Sequence, residues 1–323
     1  QACAGQLATV SEASTSDGED SPVSGLEATG LRKLTEDLAA GCDARSAAVA
    51  ALTGSVWRFS RDPLGCRVVQ LALEVATASE AKALVSELHG HVEQAIYSPH
   101  ANYVIQKVIE AMPAPVSRFI AQELAGTAGL IVRHRFGCRV FCRLLEHGGG
   151  DCDATTAVVN ECLVDAEELC RHTFGHYVAK TILEHGSPEQ KARLCRALYA
   201  GPAAGQVPGG SLAGLTRNAL HRNASYVLER AIAHCSAEDA GALGRALLCN
   251  GSLVALGQSP FGSHVVKALL RLPEVQLQVH VALLAAVEEL QRNKFGIKLL
   301  QEMGVRAERP GAERTSRFAG GFA

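Results

Sequence analysis

From about residue 31 onward the apolar residues fall at helical spacing, and no stretch alternates as a half-buried strand would. The segment 100–110, HANYVIQKVIE, shows the pattern at its clearest. At about 100° per residue, Val104, Ile105, Val108 and Ile109 fill one half of the helix, and Asn102, Tyr103, Gln106 and Lys107 fill the other. Asn102 and Gln106 stand about 40° apart, with the Tyr103 ring beside them. Two amides and a flat ring in one sector suit a flat ligand with hydrogen-bonding edges. One such helix is an ordinary solvated face; recurrence is what gives the pattern meaning.

It recurs seven times: PLGCRVVQLALE (63–74), PHANYVIQKVIE (99–110), RFGCRVFCRLLE (135–146), TFGHYVAKTILE (173–184), RNASYVLERAIA (222–233), PFGSHVVKALLR (260–271) and KFGIKLLQEMGV (294–305). We call the helix in each a triad helix, after its first, second and fifth residues. These residues begin at 66, 102, 138, 176, 225, 263 and 297, spaced 36, 36, 38, 49, 38 and 34 apart. A small residue precedes each: Gly65, Ala101, Gly137, Gly175, Ala224, Gly262 or Gly296. That choice fits a turn into a helix or a close approach of backbones. The long spacing contains AGPAAGQVPGGS (200–211), which reads as an inserted loop near 200–212. An apolar helical segment lies ahead of the motifs, as at 80–97, 117–134 and 280–293, so each unit reads as a first helix, a short link and the triad helix. Such units cannot bury their apolar faces alone and must stack into an α-solenoid.

Composition refines this picture without overturning it. Of 323 residues, 47% are hydrophobic, and the net charge is −2. Residues 1–30 carry Glu12, Asp17, Glu19, Asp20 and Glu27 and no base; subtracting those five from 33 acidic residues leaves 28 against 31 basic ones. Anion binding must therefore come from local clustering. Residues 1–28 are polar and acidic and are expected to be disordered; 29–303 form the repeat domain, and 304–323 a flexible tail. No membrane span or signal peptide is visible, and Gln1 in place of Met leads us to expect a trimmed chain. The eleven cysteines are scattered without a CxxC pair, which supplies no zinc site. The closest pair, Cys138 and Cys142, is explained by the repeat, and small buried thiols in a reducing compartment are expected. No catalytic Ser, His and Asp arrangement shows, and neither a metal nor a cofactor is expected.

The ~36-residue period, the FGxxVxxxxLE signature and NYVIQ at 102–106 resemble the Pumilio (PUF) family of RNA-binding repeat proteins. The resemblance covers about 50–303. It implies an all-α, curved, right-handed α-solenoid whose concave face holds single-stranded RNA, one base per repeat. By this resemblance the first and fifth triad residues touch the base edge, and the second stacks between bases. Cys66 and Gln70 with Arg67 resemble an adenine reader; Asn102 and Gln106 with Tyr103 resemble a uracil reader. Ser225 and Glu229 with Tyr226 resemble a guanine reader, since a carboxylate accepts from both guanine N1–H and N2–H. Cys138 and Cys142 with Arg139 are a weakened adenine reader, and His176 and Lys180 with Tyr177 match no assigned pair. Ser263 and Lys267 with His264 place a cation that suits cytosine or guanine acceptors. Ile297 and Lys298 lack reader chemistry, so the seventh unit is expected to be a cap.

RNA runs antiparallel to the repeats in this family, which gives an expected site of 5′-N-G-N-(A/N)-U-A. The expected protein is a monomeric, non-enzymatic regulator of messenger RNA acting through 3′ UTR sites, cytoplasmic, with protein effectors on the convex face. The alternatives are a nuclear or nucleolar factor on pre-ribosomal RNA and a protein-binding scaffold without RNA affinity. Lys107, Arg143, Lys180, Arg230 and Lys267 are candidates for phosphate contact or for plain solvated charge, and Phe136, Phe174, Phe261 and Phe295 for inter-repeat core.

Overall fold

The computed structural model describes residues 25–147, 153–199, 210–249 and 251–305, and every regular element among them is helical. Each full repeat holds three helices rather than the expected two. In repeat 1 a short leading helix (Val56–Ser60) is followed by the triad helix (Gly65–Val75) and an outer helix (Ala78–Ser86). The triad helices that follow are Ala101–Ala111, Gly137–His147, Gly175–His185, Ala224–His234, Gly262–Leu269 and Lys294–Glu302. They touch in unbroken succession, the first to the second and so on to the seventh. One core runs along the array from Leu31 to Leu300. This is an α-solenoid.

The segments read as single helices at 80–97, 117–134 and 280–293 are each broken. The first divides into Ala78–Ser86 and Val92–Tyr97, the second into Ala114–Leu124 and Ala128–Ile131. Gly90 (φ 77°) and Gly126 (φ 88°) sit in the breaks, in the left-handed conformation that ends helices. In the third, Ala286 leaves helical geometry between Gln276–Ala285 and Val287–Leu290.

The breaks are held by carboxylates at the ends of the outer helices that follow. Glu123 accepts from the backbone N–H of Gly90 (2.7 Å) and of Val92 (3.2 Å). Glu87 does the same for Gly54 and Val56 (2.6 and 2.9 Å), and Glu161 for Gly126 and Gly129 (2.8 and 3.4 Å). Each carboxylate thus caps the orphan N–H groups of the preceding leading helix.

At four of the seven triads the preceding glycine marks a backbone crossing. A Cβ on Gly65, Gly137, Gly262 or Gly296 would meet the carbonyl oxygen of Phe59, Ile131, Leu256 or Leu290 at 2.6, 2.2, 2.7 or 2.1 Å. Four residues before each triad stands a cap: Asp62, Ser98, His134, His172, His221, Ser259 or Asn293. Six of these accept from two N–H groups at the helix start; His134 accepts from one, Phe136 N–H at 3.4 Å.

Several flanking expectations shift. The chain is already helical at Gly25, inside the segment read as disordered, and the helices Gly25–Ala39 and Cys42–Leu52 pack against the repeat-1 triad helix. Residues 1–24, 200–209 and 306–323 lie outside the described residues, so most of the disordered segment, the inserted loop and the tail do too. Residues 210–212 belong to the helix Gly210–Leu220. The four Phe residues are half-buried rather than core: Arg135 lies over the Phe136 ring (4.4 Å) and Lys294 over Phe295 (5.0 Å), and of the four Phe174 alone packs against the main core. No helix among the described residues is long and apolar enough to cross a membrane.

Candidate nucleic-acid interface

The row of triad helices puts the candidate residues in register. The six first positions, Cys66, Asn102, Cys138, His176, Ser225 and Ser263, are all buried, Asn102 and Ser225 completely so. Helical angle alone had grouped Asn102 with the solvated half; the neighbouring triad helices, packed along both sides, cover it. The second positions stay accessible. Tyr103 is 42% and Tyr177 44% exposed, Arg67 and Arg139 are exposed, and Tyr226 and His264 are half-buried. The fifth positions, Gln70, Gln106, Cys142, Lys180, Glu229 and Lys267, are all half-buried. Tyr226 and His264, second positions of successive repeats, have ring centroids 5.4 Å apart and are tilted by 47°. They therefore line one row. A flat group between them would require roughly 7 Å, two contact distances, so the rings must part to admit one.

Most first positions bond back onto their own helix start. Asn102 Nδ2 donates to the Ser98 carbonyl (2.8 Å), and Asn102 Oδ1 accepts from Gln106 Nε2 (3.0 Å), which links the two amides of one triad. Gln70 Nε2 donates to the Cys66 carbonyl at 3.0 Å. The thiols of Cys66 and Cys138 point to the carbonyls of Pro63 and Arg135, and the Ser263 hydroxyl donates to Pro260. Burial raises both thiol pKa values, that of Cys138 to about 11, so they remain neutral weak donors. The Ser225 hydroxyl differs: it is buried and has no hydrogen-bond partner. Glu229, one turn on, also has no bonded partner.

Repeat 4 has its own chemistry. His176 Nδ1 lies 3.0 Å from the His172 carbonyl, which only accepts, so Nδ1 carries the proton and Nε2 is left as an acceptor. Burial lowers its pKa and keeps the ring neutral. Lys180 has no carboxylate within bonding reach and lies 5.9 Å from the Tyr177 ring centroid. Desolvation, then the nearby Arg230 charge, lowers its pKa. In repeat 3 the Cys142 thiol accepts from Thr181 Oγ1 (3.3 Å), and burial pushes its pKa to about 12.

Of the five candidate phosphate ligands, four are already neutralised across the row. Lys107 pairs with Glu74 (2.7 Å), Arg143 with Glu110 (2.8 Å) and with Glu146, Arg230 with Glu184 (3.0 Å), and Lys267 with Glu302 (2.8 Å). These pairs fasten one triad helix to the next. Among the six reading repeats, Lys180, Arg67 and Arg139 are the triad-position cations without a carboxylate partner. Among the described residues no cluster of His, Cys, Asp or Glu is arranged to hold a metal.

Fold and site together define a helical-repeat solenoid that presents one three-residue reading set per repeat along a continuous face. A model of the Pumilio-family RNA binding repeat matches residues 55–89, 98–125, 130–152, 166–198 and 219–243, so the chain carries five repeats of the Pumilio type. The sixth and seventh repeats fall outside that match, yet they keep the crossing glycine and the cap. Pumilio homolog 1 of Xenopus laevis is 30% identical over 110 residues, covering 34% of this chain and 9% of that protein. Pumilio homolog 9 of Arabidopsis thaliana is 29% identical over 96 residues, covering 29% of this chain and 17% of that protein. The matched stretches are thus under a fifth of those relatives' length. The Puf3 RNA binding domain bound to a Cox17 RNA 3′ UTR recognition sequence shares the fold at TM-score 0.73 and 22% identity, over 85% of this chain and 83% of that one. PUF-8 in complex with PBE-RNA gives 0.68 at 21% identity, over 80% and 73%.

Proposed function

We propose that this protein binds single-stranded RNA selectively, one base per repeat, along the row of triad helices, and that it regulates messenger RNA after transcription without catalysis. Relatives of the same fold are solved with 3′ UTR recognition sequences of Cox17 and HO endonuclease RNA. The observation that carries the reading is Ser225. A fully buried hydroxyl without a partner costs about 1–3 kcal/mol, and a guanine edge between it and the Glu229 carboxylate would supply what both lack. Asn102 and Gln106, already bonded to each other, form a ready amide pair for uracil beside the exposed Tyr103 ring. The reading further places the protein in the cytoplasm, as a monomer with effectors on its outer surface.

Fluorescence titration with 5′-NGNAUA RNA tests it. Tight binding that weakens at least tenfold when the UA is scrambled or G is replaced is the expected result. Equal affinity for all three RNAs refutes the base code, and no affinity at all favours a scaffold. With Arg67, Arg139 and Lys180 as the free cations, log affinity should fall against log salt with a slope of about −2. One observation favours a second reading, relaxed binding to structured pre-ribosomal RNA in the nucleolus: Thr181 occupies the Cys142 thiol, leaving repeat 3 without a fifth-position reader. In vitro selection separates the two, through a short linear consensus or a structured one.

A further inference from the structure

The closest cysteines in sequence are not the pair the fold brings together. Cys195 lies on the outer helix of repeat 4 (Pro188–Tyr199), and Cys235 follows the repeat-5 triad helix (Ala224–His234) as its C-cap. Their Sγ atoms are 2.9 Å apart across 40 residues of chain, within about 1 Å of disulfide bonding distance. The eight cysteines whose side chains are described are all free, and no other pair among them has a sulfur–sulfur contact. We propose that Cys195 and Cys235 are a modification site that closes to a reversible disulfide on reaction with a hydroperoxide, fastening repeat 4 to repeat 5.

The two thiols are not equivalent, and the asymmetry gives the order of events. Cys235 is half-buried at a helix end, whereas Cys195 is 3% exposed. The hydrogen bond from Cys195 holds the Cys235 pKa below its usual value, aided by Lys191 and opposed by burial and Asp239. Lys191 Nζ is held close by, donating to the carbonyls of Glu184 and His234 (3.3 and 3.5 Å). Cys235 is therefore the more accessible and more readily ionised thiol, and Cys195 the resolving one. In the first step the Cys235 thiolate attacks one peroxide oxygen of hydrogen peroxide. The O–O bond breaks, hydroxide leaves, and Cys235 becomes a sulfenic acid. In the second, Cys195 sulfur attacks the sulfenic sulfur, the S–S bond forms, and the hydroxyl leaves as water with the Cys195 proton. The two thiols lose two electrons in all, and the peroxide is reduced to two waters.

The bridge lies at the opposite end of the repeat-5 helix from Ser225, about ten residues or 15 Å along its axis. It would brace the repeat 4–5 junction without occupying the reading face. The test treats the purified protein with hydrogen peroxide, blocks remaining thiols with an alkylating agent and digests without reductant. Trypsin cuts after Arg193, Arg196, Arg230 and Arg245, so the bridge appears as peptide 194–196 linked to peptide 231–245. The linked pair should vanish on reduction, and the oxidised protein should melt about 5–10 °C higher. Cys195→Ser should stop at a sulfenic acid on Cys235, trapped by a dione reagent, while Cys235→Ser should trap none. Recovery of both peptides alkylated, or either cysteine linked elsewhere, overturns the proposal.

Discussion

Three of the seven triad helices, those of repeats 3, 4 and 5, begin on an imidazole cap. His172 Nδ1 accepts from Phe174 and Gly175 N–H (3.2 and 3.1 Å), and His221 Nδ1 from Asn223 and Ala224 (3.2 and 3.3 Å). His134 Nδ1 accepts from Phe136 (3.4 Å). Only an unprotonated Nδ1 can accept, so protonation turns each cap into a donor facing donors. Burial lowers all three pKa values from 6.5, reinforced by Arg135 at His134, by Arg133 at His172 against Glu168, and by Arg171 and Arg222 at His221. The folded state therefore prefers neutral rings. Their contribution is intact above pH 6.5 and drains away as pH falls below it, because the unfolded chain takes up protons first. A cap is worth about 1 kcal/mol, so the three together place about 3 kcal/mol at risk, a large share of a typical 5–15 kcal/mol. Serine already does this work in repeats 2 and 6, through Ser98 and Ser259. Replacing His134, His172 and His221 together with Ser should therefore keep the caps while removing the titration. Urea midpoints measured from pH 7.5 to pH 5 are the assay. The wild type should weaken steadily across that range and the triple variant markedly less; His176 and His234, whose pKa values burial also lowers, leave some residual slope. Equal slopes in the two proteins would refute the argument, whatever their absolute stabilities.

Glu123→Ala should cost about 2 kcal/mol in a urea titration, through two charge-assisted bonds discounted for partial exposure, with Glu123→Gln recovering part of it. Gly137→Ala should cost about 1–3 kcal/mol, since the new Cβ meets the Ile131 carbonyl oxygen at 2.2 Å; the same measurement should find Ala101→Gly milder. Lys180→Met removes a desolvated cation, so thermal stability should hold or rise while RNA affinity falls and the salt slope becomes shallower by about 0.7. Tyr103→Ala should weaken RNA binding by about 1–3 kcal/mol without shifting the melting temperature.

The period of the chain, its helical character and the triads were legible without coordinates, because each is written in local spacing. NYVIQ at 102–106 and the Gly or Ala ahead of every triad needed no partner to be recognised. The caps were legible in principle too: Asp62, Ser98, His134, His172, His221, Ser259 and Asn293 all stand four residues before a triad, and the His residues hid the rule because imidazole is an uncommon cap. Other features had no local signature. Gly90 and Gly126 break helices that apolar spacing alone joins, and their breaks are closed by Glu123 and Glu161 from the outer helices that follow.

The linear pattern by itself determined which residues recur and which face of each helix is apolar, since side-chain direction follows from 3.6 residues per turn. Only the tertiary structure decided how those faces are used. Stacking buried Asn102 and Ser225, neutralised Lys107, Arg143, Arg230 and Lys267 with carboxylates of neighbouring triad helices, left Lys180 unpaired, and set Cys195 against Cys235. The physical reason is range: helical periodicity acts over about four residues, whereas these burials and pairings join groups some 33 to 46 residues apart.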